Sequence, residues 1–281
     1  MDILTKVRYT RNLTPAEQQF AQYLQQHTEK VIASTLLETS AAAFTSKSLI
    51  IRFCKKIGLS GFNEMKVRLA QEYSPQRSLV DVNFPFTDKD SQQQIAGKLR
   101  QLYHSTIDDT FSFLQIDSLW EIVLTLCKAQ QIFIFTHAHN SNIAENFQDK
   151  MLSIGRQVNF EESTYKQRRL ALMATPKTAA LVLSYSGQAT FIPSVLSILK
   201  QQQATIIWIG RAGNESMTRA SDYQLYISDR EDLRHRLSQF ASHLSMQFTL
   251  DLIFSCIFKA NYQKNAAYLQ DASSLLDDRH I

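Results

Sequence analysis

The 281-residue sequence predicts an all-α head followed by an α/β domain in which a five-stranded parallel sheet is flanked by helices. Helical periodicity and capping signals fill roughly the first 73 residues. From residue 132 onward, five short apolar runs alternate with helix-like segments, a pattern typical of a parallel sheet covered on both faces. The chain is long enough for two domains, each with its own core.

Capping signals place the head helices. The sequence TPAE at 14–17 can form a capping box with proline in the first helical position. Ser46 can cap a helix over Lys47–Ile57, which Gly58 ends. The other head helices are predicted over 29–34, 36–43 and 62–73.

A linker is predicted over 74–90, which contains two prolines and no helical period. We therefore divide the chain into a head (1–77), a linker with a connecting helix (78–115) and an α/β domain (116–281). The predicted strands are 132–136, 158–160, 179–184, 205–209 and 223–227. The predicted helices around them are 91–114, 117–128, 140–154, 163–173, 188–202 and 236–262.

The last helix is apolar enough to be buried, either in the core or against a second subunit. One stripe of this helix consists of Leu237, Phe240, Leu244 and Phe248.

Composition excludes several classes of protein. No stretch approaches the roughly 20 apolar residues of a membrane span, and the N-terminus lacks the apolar segment of a secretory signal. Cys54, Cys127 and Cys256 have neither metal-ligand nor disulfide spacing, which fits a reducing compartment. We expect a cytoplasmic protein with no metal or cofactor.

The positive charge is concentrated in the head. Residues 1–77 contain eleven Lys and Arg against six Asp and Glu, a net +5, whereas the remainder has a net charge of −1. This asymmetry favours an anionic partner such as nucleic acid, although an ordinary solvated surface could carry the same excess.

The helix after Ser46 has the composition of a DNA-recognition helix. A period of about 100° per residue turns Ile50, Phe53, Cys54 and Ile57 inward. The outward face combines hydroxyl, apolar and basic groups, which can meet bases and phosphates, although any amphipathic helix has a polar face. The candidates for base or groove contacts are Lys47, Ser48, Ile51 and Arg52, and those for phosphate contacts are Lys55 and Lys56.

Two strand-to-helix connections in the α/β domain are candidate ligand sites. The sequence SYSGQAT at 184–190 follows a strand and opens a helix, where hydroxyls, N–H groups and the helix dipole favour an anion. Serine and glycine also cap helices for purely structural reasons. Residues 136–141 (THAHNS) follow another strand, and ligands of open parallel sheets gather at such ends.

The run from Ser46 to Lys66 resembles the N-terminal domain of the RpiR (MurR/RpiR) family of bacterial transcription regulators, most specifically in RFCKKIGLSGFNEMK at 52–66. The family often has Gly where this chain has Phe44, and Thr where it has Leu49. The resemblance implies a helix-turn-helix head that binds a double-stranded DNA operator.

Residues 120–260 resemble the SIS (sugar isomerase) domain that follows the head in this family. Ser184, Ser186 and Gly187 match the S-x-S-G-x-T pattern, with Ala189 at the Thr position. Thr136, Ala138 and Asn140 stand where the family has two glycines and a serine. The resemblance implies a phosphorylated sugar ligand, for which our candidates are Asn140, Ser141, Ser184, Ser186, Gly187, Gln188 and Thr190.

The first hypothesis is therefore a dimeric or tetrameric regulator that senses a phosphorylated sugar and controls sugar-metabolism genes. A second keeps the DNA-binding head but makes the α/β domain a structural oligomerisation module. A third is a sugar-phosphate isomerase, for which His137, His139, Glu161 and Glu162 could act as acids or bases. No residue spacing specifies a catalytic or metal site, so we expect no enzyme activity.

Overall fold

The computed structural model describes residues 3–10, 13–72 and 80–276. The chain forms two compact units, Met1–Asp81 and Val82–Ile281. Part of the linker predicted over 74–90 lies outside the described residues, and 80–91 contain neither helix nor strand.

The first unit is helical throughout its described part. Its helices are α1 (Ile3–Tyr9), α2 (Pro15–Gln26), α3 (Thr28–Ala33), α4 (Leu36–Ala42), α5 (Lys47–Lys56) and α6 (Phe62–Glu72). The predicted capping box is present at α2, where Thr14 and Glu17 bond each other's backbone N–H. Ser46 caps α5 by accepting from the Leu49 N–H at 3.2 Å. The helix α1 was not predicted.

The core of the first unit lies between α2, α5 and α6. Phe20 and Phe53 are fully buried and meet edge to face, with ring centroids 5.1 Å apart. Ile50 and Cys54 complete the buried face of α5, as the period predicts, and Cys54 contacts the sulfur of Met65. Burial of this face fixes which side of α5 is turned outward.

The second unit alternates strands and helices. Its strands are β1 (Gln131–Phe135), β2 (Val158–Phe160), β3 (Thr178–Leu183), β4 (Thr205–Arg211) and β5 (Tyr223–Ile227). Its helices are α7 (Gln92–Phe113), α8 (Ile116–Lys128), α9 (Ser141–Leu152), α10 (Thr164–Leu172), α11 (Ile192–Gln201), α12 (Glu215–Ala220), α13 (Phe240–Ala260) and α14 (Tyr262–Leu276). The sequence predicted all five strands, but neither α12 nor α14.

All strand pairs in the sheet are parallel, and the strand order is β2-β1-β3-β4-β5. The predicted five-stranded parallel sheet is confirmed. From β1 the chain runs to β2 at one edge of the sheet. It then crosses to β3, which lies on the other side of β1. A crevice opens at the carboxyl ends of two strands where the order reverses, and ligands of open α/β sheets bind there.

Helices cover both faces of the sheet. The side chains of α8, α9 and α13 form one core with Ile132, Ile134 and Leu181. The side chains of α10 and α11 form the other with Phe133, Phe135 and Trp208. Both faces of the central strands are therefore dry, which explains their near-continuous apolar sequences.

The apolar stripe predicted on the last helix is not the face of α13 that packs on the sheet. Leu237 precedes the helix and is 49% exposed, and Phe240, Leu244 and Phe248 are only partly buried. The buried positions are Ala241, Ser242, Ser245, Met246, Thr249, Leu250, Ile253 and Ile257. Because the helix is apolar on nearly every side, hydrophobicity does not identify the face that packs on the sheet.

Within the described residues, α13 alone is a single helix with the length and composition of a membrane span. Its buried side chains belong to the sheet core, and it packs against α7, α8 and α9. A core helix of this kind satisfies the same criteria as a membrane span.

Candidate functional site

The outer face of α5 presents the six residues predicted to contact DNA. All are exposed: Lys47, Ser48, Ile51, Arg52, Lys55 and Lys56. Ile51 is 37% exposed, so an aliphatic side chain is available among basic and hydroxyl groups. An exposed helix of this composition can enter a major groove and contact base edges.

Lys56 differs from the other five because it has a protein partner. Its Nζ lies 2.7 Å from Glu17 Oε2 on α2. The hydrogen bond from Lys56 lowers the pKa of Glu17, and the Thr14 N–H adds to the shift. This pair fixes α5 against α2 and neutralises part of the charge of Lys56.

The turn before α5 is strained. Phe44 has φ +50°, in the left-handed region, and its side chain is 91% exposed. A bulky residue in this conformation is an outlier that costs about 1 kcal/mol or more. Glycine suits position 44 because it adopts a left-handed backbone without steric cost. This chain has the same backbone conformation with phenylalanine.

A pocket of about 230 Å³, lined by both polar and apolar side chains, lies at the carboxyl ends of β1 and β3. Side chains from three separate segments line it: His137, His139 and Asn140; Ser184, Ser186 and Gln188; and Leu233, Arg236 and Ser242. The pocket occupies the crevice where the strand order reverses.

The β3 turn (residues 184–190) forms one wall. Ser184 Oγ accepts from the Gly187 N–H at 3.1 Å, and Ser186 Oγ accepts from the Gln188 N–H at 3.2 Å. Gly187 has φ +67°, and a Cβ there would lie 2.4 Å from Met217 Cγ, so only glycine fits. The two hydroxyls keep their own O–H groups for a ligand.

Helix α11 begins at Ile192, four residues later than predicted. The prediction that residue 188 opens this helix is wrong, because residues 188–191 lie outside the helix. Two of the N–H groups expected to face an anion already bond the serine hydroxyls. The polar groups of the turn nevertheless lie at the pocket.

The β1 turn (residues 136–140) forms the opposite wall and is held by side chains. Thr136 Oγ1 donates to the Leu183 carbonyl at 2.8 Å. The buried Gln167 amide accepts from the Thr136 N–H and donates to the Thr136 carbonyl, as an adjacent strand would. Ala138 has φ +56° and begins a short 3₁₀ turn.

The third wall is the 228–239 segment, which joins β5 to α13 without helix or strand. Its centre is the fully buried carboxylate of Glu231, which accepts from the Ala241 and Ser242 N–H groups, the Ser242 hydroxyl and Arg236. A carboxylate at a helix N-terminus both caps it and complements its dipole. Glu231 thus fixes the start of α13 and the position of Arg236.

Histidines contribute to the electrostatics of the pocket. Burial lowers the pKa of His139, and the nearby charges of Arg236 and His243 lower it further. The neutral form of His139 is therefore favoured, and a neutral imidazole can both donate and accept hydrogen bonds.

Comparison with known proteins relates both sites to a family. Residues 1–76 match the helix-turn-helix domain of the rpiR family, and residues 125–253 match the SIS domain. The chain therefore contains an rpiR-family helix-turn-helix domain followed by a SIS domain. An HTH-type transcriptional regulator of Caldanaerobacter subterraneus subsp. tengcongensis is 27% identical over 285 residues, 100% of this chain and 99% of the relative.

Solved structures share the fold of this chain. NanR of Vibrio vulnificus, in a complex with ManNAc-6P, aligns with a TM-score of 0.60 at 16% identity, covering 98% of each chain. The sugar isomerase domain of an RpiR transcription factor from Sphaerobacter thermophilus aligns with a TM-score of 0.57 at 14% identity, covering 65% of this chain and 99% of the other. The protein is a helix-turn-helix transcription regulator with a C-terminal SIS domain.

The structure brings together four of the seven predicted ligand residues of the SIS domain. Asn140, Ser184, Ser186 and Gln188 line the pocket, whereas Ser141, Gly187 and Thr190 are not among its lining residues. Ser141 is buried at the start of α9, and Gly187 shapes the turn.

Sequence reasoning missed Arg236 and Ser242. No motif distinguishes them, and they lie about 50 residues beyond the β3 turn in the sequence. Only the packing of the 228–239 segment against the strand ends brings them to the pocket.

The groups considered for catalysis are only partly at the pocket. His137 and His139 line it, whereas Glu161 and Glu162 are not among the lining residues, and Glu161 pairs with Lys166. The described residues contain no group of three or more potential metal ligands.

Proposed function

We propose that the SIS domain binds a phosphorylated sugar in this pocket and that binding regulates attachment of the head to operator DNA of sugar-metabolism genes. The observation that carries this proposal is the position of the serine-containing β3 turn in the crevice between β1 and β3. Two hydroxyls, an amide and an arginine side chain converge there on a cavity suited to a compact polar ligand. The NanR structure, a protein of the same fold, contains a phosphorylated sugar.

For the head, the proposed base or groove contacts are Lys47, Ser48, Ile51 and Arg52. Lys55 and Lys56 are proposed to neutralise phosphates. A homodimer or homotetramer would place two heads on half-sites, as helix-turn-helix dimers do.

Hydrogen bonds within the second unit supply a route from the pocket toward the head. The Asn83 side chain accepts from the Asp232 N–H at 2.7 Å, and its carbonyl accepts from the Leu237 N–H at 2.8 Å. These bonds flank Arg236, and Asn83 is the second residue of this unit after the head. A ligand that moves Arg236 would therefore shift the chain that leads to the head.

The first experiment is thermal melting of the full-length protein with hexose, pentose and amino-sugar phosphates at millimolar concentration. A ligand at 100 times its Kd stabilises the native state by about 2.7 kcal/mol. We expect one class of sugar phosphate to raise Tm, and Ser184→Ala with Ser186→Ala to abolish the rise.

The matched control is Ser153→Ala with Ser255→Ala, two exposed serines outside the pocket that should leave the ligand effect unchanged. A panel without any shift would contradict sensing and favour an SIS domain used only for oligomerisation. Turnover of a sugar phosphate would instead support an isomerase, whereas we propose that this cytoplasmic regulator has no enzyme activity.

DNA binding is tested by the salt dependence of operator affinity. Each phosphate contact contributes about −0.9 to the slope of log K against log salt. Lys55→Ala should make the slope less steep by about 0.9, the contribution of one phosphate contact. Lys177→Ala in the SIS domain should not change the slope. An unchanged slope for Lys55→Ala would remove that residue from the interface.

The coupling route is tested with Asn83→Ala. We expect this variant to keep its affinity for sugar phosphate and for DNA, but to lose most of the ligand effect on DNA affinity. A ligand effect equal to that of the wild type would contradict the route without contradicting sensing.

A further inference from the structure

The guanidinium of Arg236 has unused hydrogen-bonding capacity at the pocket. The side chain is only 12% exposed, and among the described residues its one hydrogen-bond partner is Glu231. A guanidinium has five N–H donors in a planar fork, so most of them remain available. None of these donors is buried without a partner, so they are open to water and available to a bound acceptor.

Arg236 and the β3 turn belong to different walls of the pocket. Ser184 and Ser186 lie on the turn after β3, whereas Arg236 lies on the 228–239 segment. A ligand whose phosphate contacts the serines would thus direct its other end toward different protein groups. A guanidinium binds a carboxylate or a phosphate through two parallel hydrogen bonds, so with the phosphate at the serines Arg236 is suited to a second acidic group.

Neighbouring charges limit how strongly this arginine attracts an anion. Glu231 already neutralises the formal charge of Arg236. The titratable and charged groups around this pair include His137, His139, His243, Tyr185, Asp229 and Arg211. Contact with a ligand is therefore governed by directed N–H donors more than by net positive charge.

We propose that Arg236 binds a second acidic group of the effector, so that the pocket prefers a phosphorylated sugar acid to the corresponding neutral phosphorylated sugar. The proposal rests on the proposed sensing function and names the ligand class of the same pocket. The phosphate contacts the serine hydroxyls of the β3 turn, and the carboxylate contacts the free edge of the guanidinium.

Matched ligands test this proposal. Calorimetry on the full-length protein compares glucitol 6-phosphate with 6-phosphogluconate, and arabinitol 5-phosphate with 5-phosphoarabinonate, all of which are open-chain. Within each pair only the group at C1 differs. We expect the acid of at least one pair to bind about tenfold more tightly, and Arg236→Gln to reduce that preference to about twofold.

Arg236→Gln leaves the buried Glu231 carboxylate without its cation, which is strongly destabilising. The double variant Glu231→Gln with Arg236→Gln removes both charges and preserves an amide that can cap α13. Arg236→Lys keeps the charge without the planar fork and should give an intermediate preference.

The outcomes separate the two proposals. Equal affinities within both pairs, or a preference that survives in the double variant, would overturn the role of Arg236 and leave sensing intact. An equal loss of affinity for both members of a pair in Arg236→Gln would place the phosphate at Arg236, which also overturns it. Absence of binding to every sugar phosphate would overturn the sensing function itself.

Discussion

The β1 and β3 turns occupy equivalent positions at the end of neighbouring strands, but they are held in different ways. The β3 turn uses a glycine at φ +67° and two serine hydroxyls that bond its own N–H groups. The β1 turn places Ala138 at φ +56° and depends on Gln167 from α10. One turn is stabilised locally, and the other by a distant side chain.

The chain has a left-handed backbone at two positions where its resemblance to the RpiR family predicts glycine. Ala138 and Phe44 stand where glycine is common in the family, and both are left-handed. The chain therefore keeps the geometry of each turn at the cost of strain. At the β1 turn, the histidines and Asn140 add side chains to the pocket.

The largest effect is expected at the β3 turn. Gly187→Ala should destabilise the protein by about 3 kcal/mol, because a left-handed alanine is strained and its Cβ would overlap Met217 and Asn214. Chemical denaturation measures the change. Gly97→Ala is the matched control, since Gly97 lies in α7 with open space around it and should gain about 1 kcal/mol. A small loss in Gly187→Ala would show that the turn is adaptable.

The β1 turn should instead respond to loss of its distant support. Gln167→Ala leaves the buried N–H and carbonyl of Thr136 without their partner, at a cost of about 2 kcal/mol. Amide hydrogen exchange should increase at Thr136 and not at Gly187. The exposed Gln157→Ala is the control. Equal acceleration in both turns would mean that they do not behave independently.

Relief of strain in the β1 turn should have a smaller effect of opposite sign. Ala138→Gly should raise the free energy of unfolding by about 0.5–1 kcal/mol, because glycine adopts φ +56° without steric cost. Ala267→Gly, at an exposed position in α14, should lower it by about 1 kcal/mol. Destabilisation by Ala138→Gly would show that the alanine side chain makes contacts that outweigh its strain.

The smallest effect concerns pH. The pKa of His139 is below its ordinary value of about 6.5, so the unfolded chain binds this proton more readily than the native protein does. Above pH 6.5 both states are neutral at His139, and the residue does not affect the free energy of unfolding. As the pH falls below 6.5, protonation of the unfolded chain lowers that free energy. Since the side chain is only half-buried, we expect a few tenths of a kcal/mol. Melting from pH 7.5 to 5.5 should show a steeper decline for the wild type than for His139→Gln, and parallel declines would contradict this.

Local sequence patterns predicted most of the secondary structure. The capping box at Thr14, the buried face of α5 and all five strands depend on neighbouring residues, so periodicity and capping chemistry suffice to locate them. The β3 turn was predicted because its serines and glycine directly follow a strand. Periodicity failed on α13, where nearly every face is apolar.

By itself, the sequence determined the two classes of structure, the exposed face of α5 and the polar turn after β3. Only the tertiary structure decided that Arg236 and Ser242 complete the pocket, that α13 buries the face beginning at Ala241, and that Gln167 supports the β1 turn. These contacts join segments that are distant in the chain. Their formation depends on how helices pack over the strand ends, which no local pattern of residues encodes.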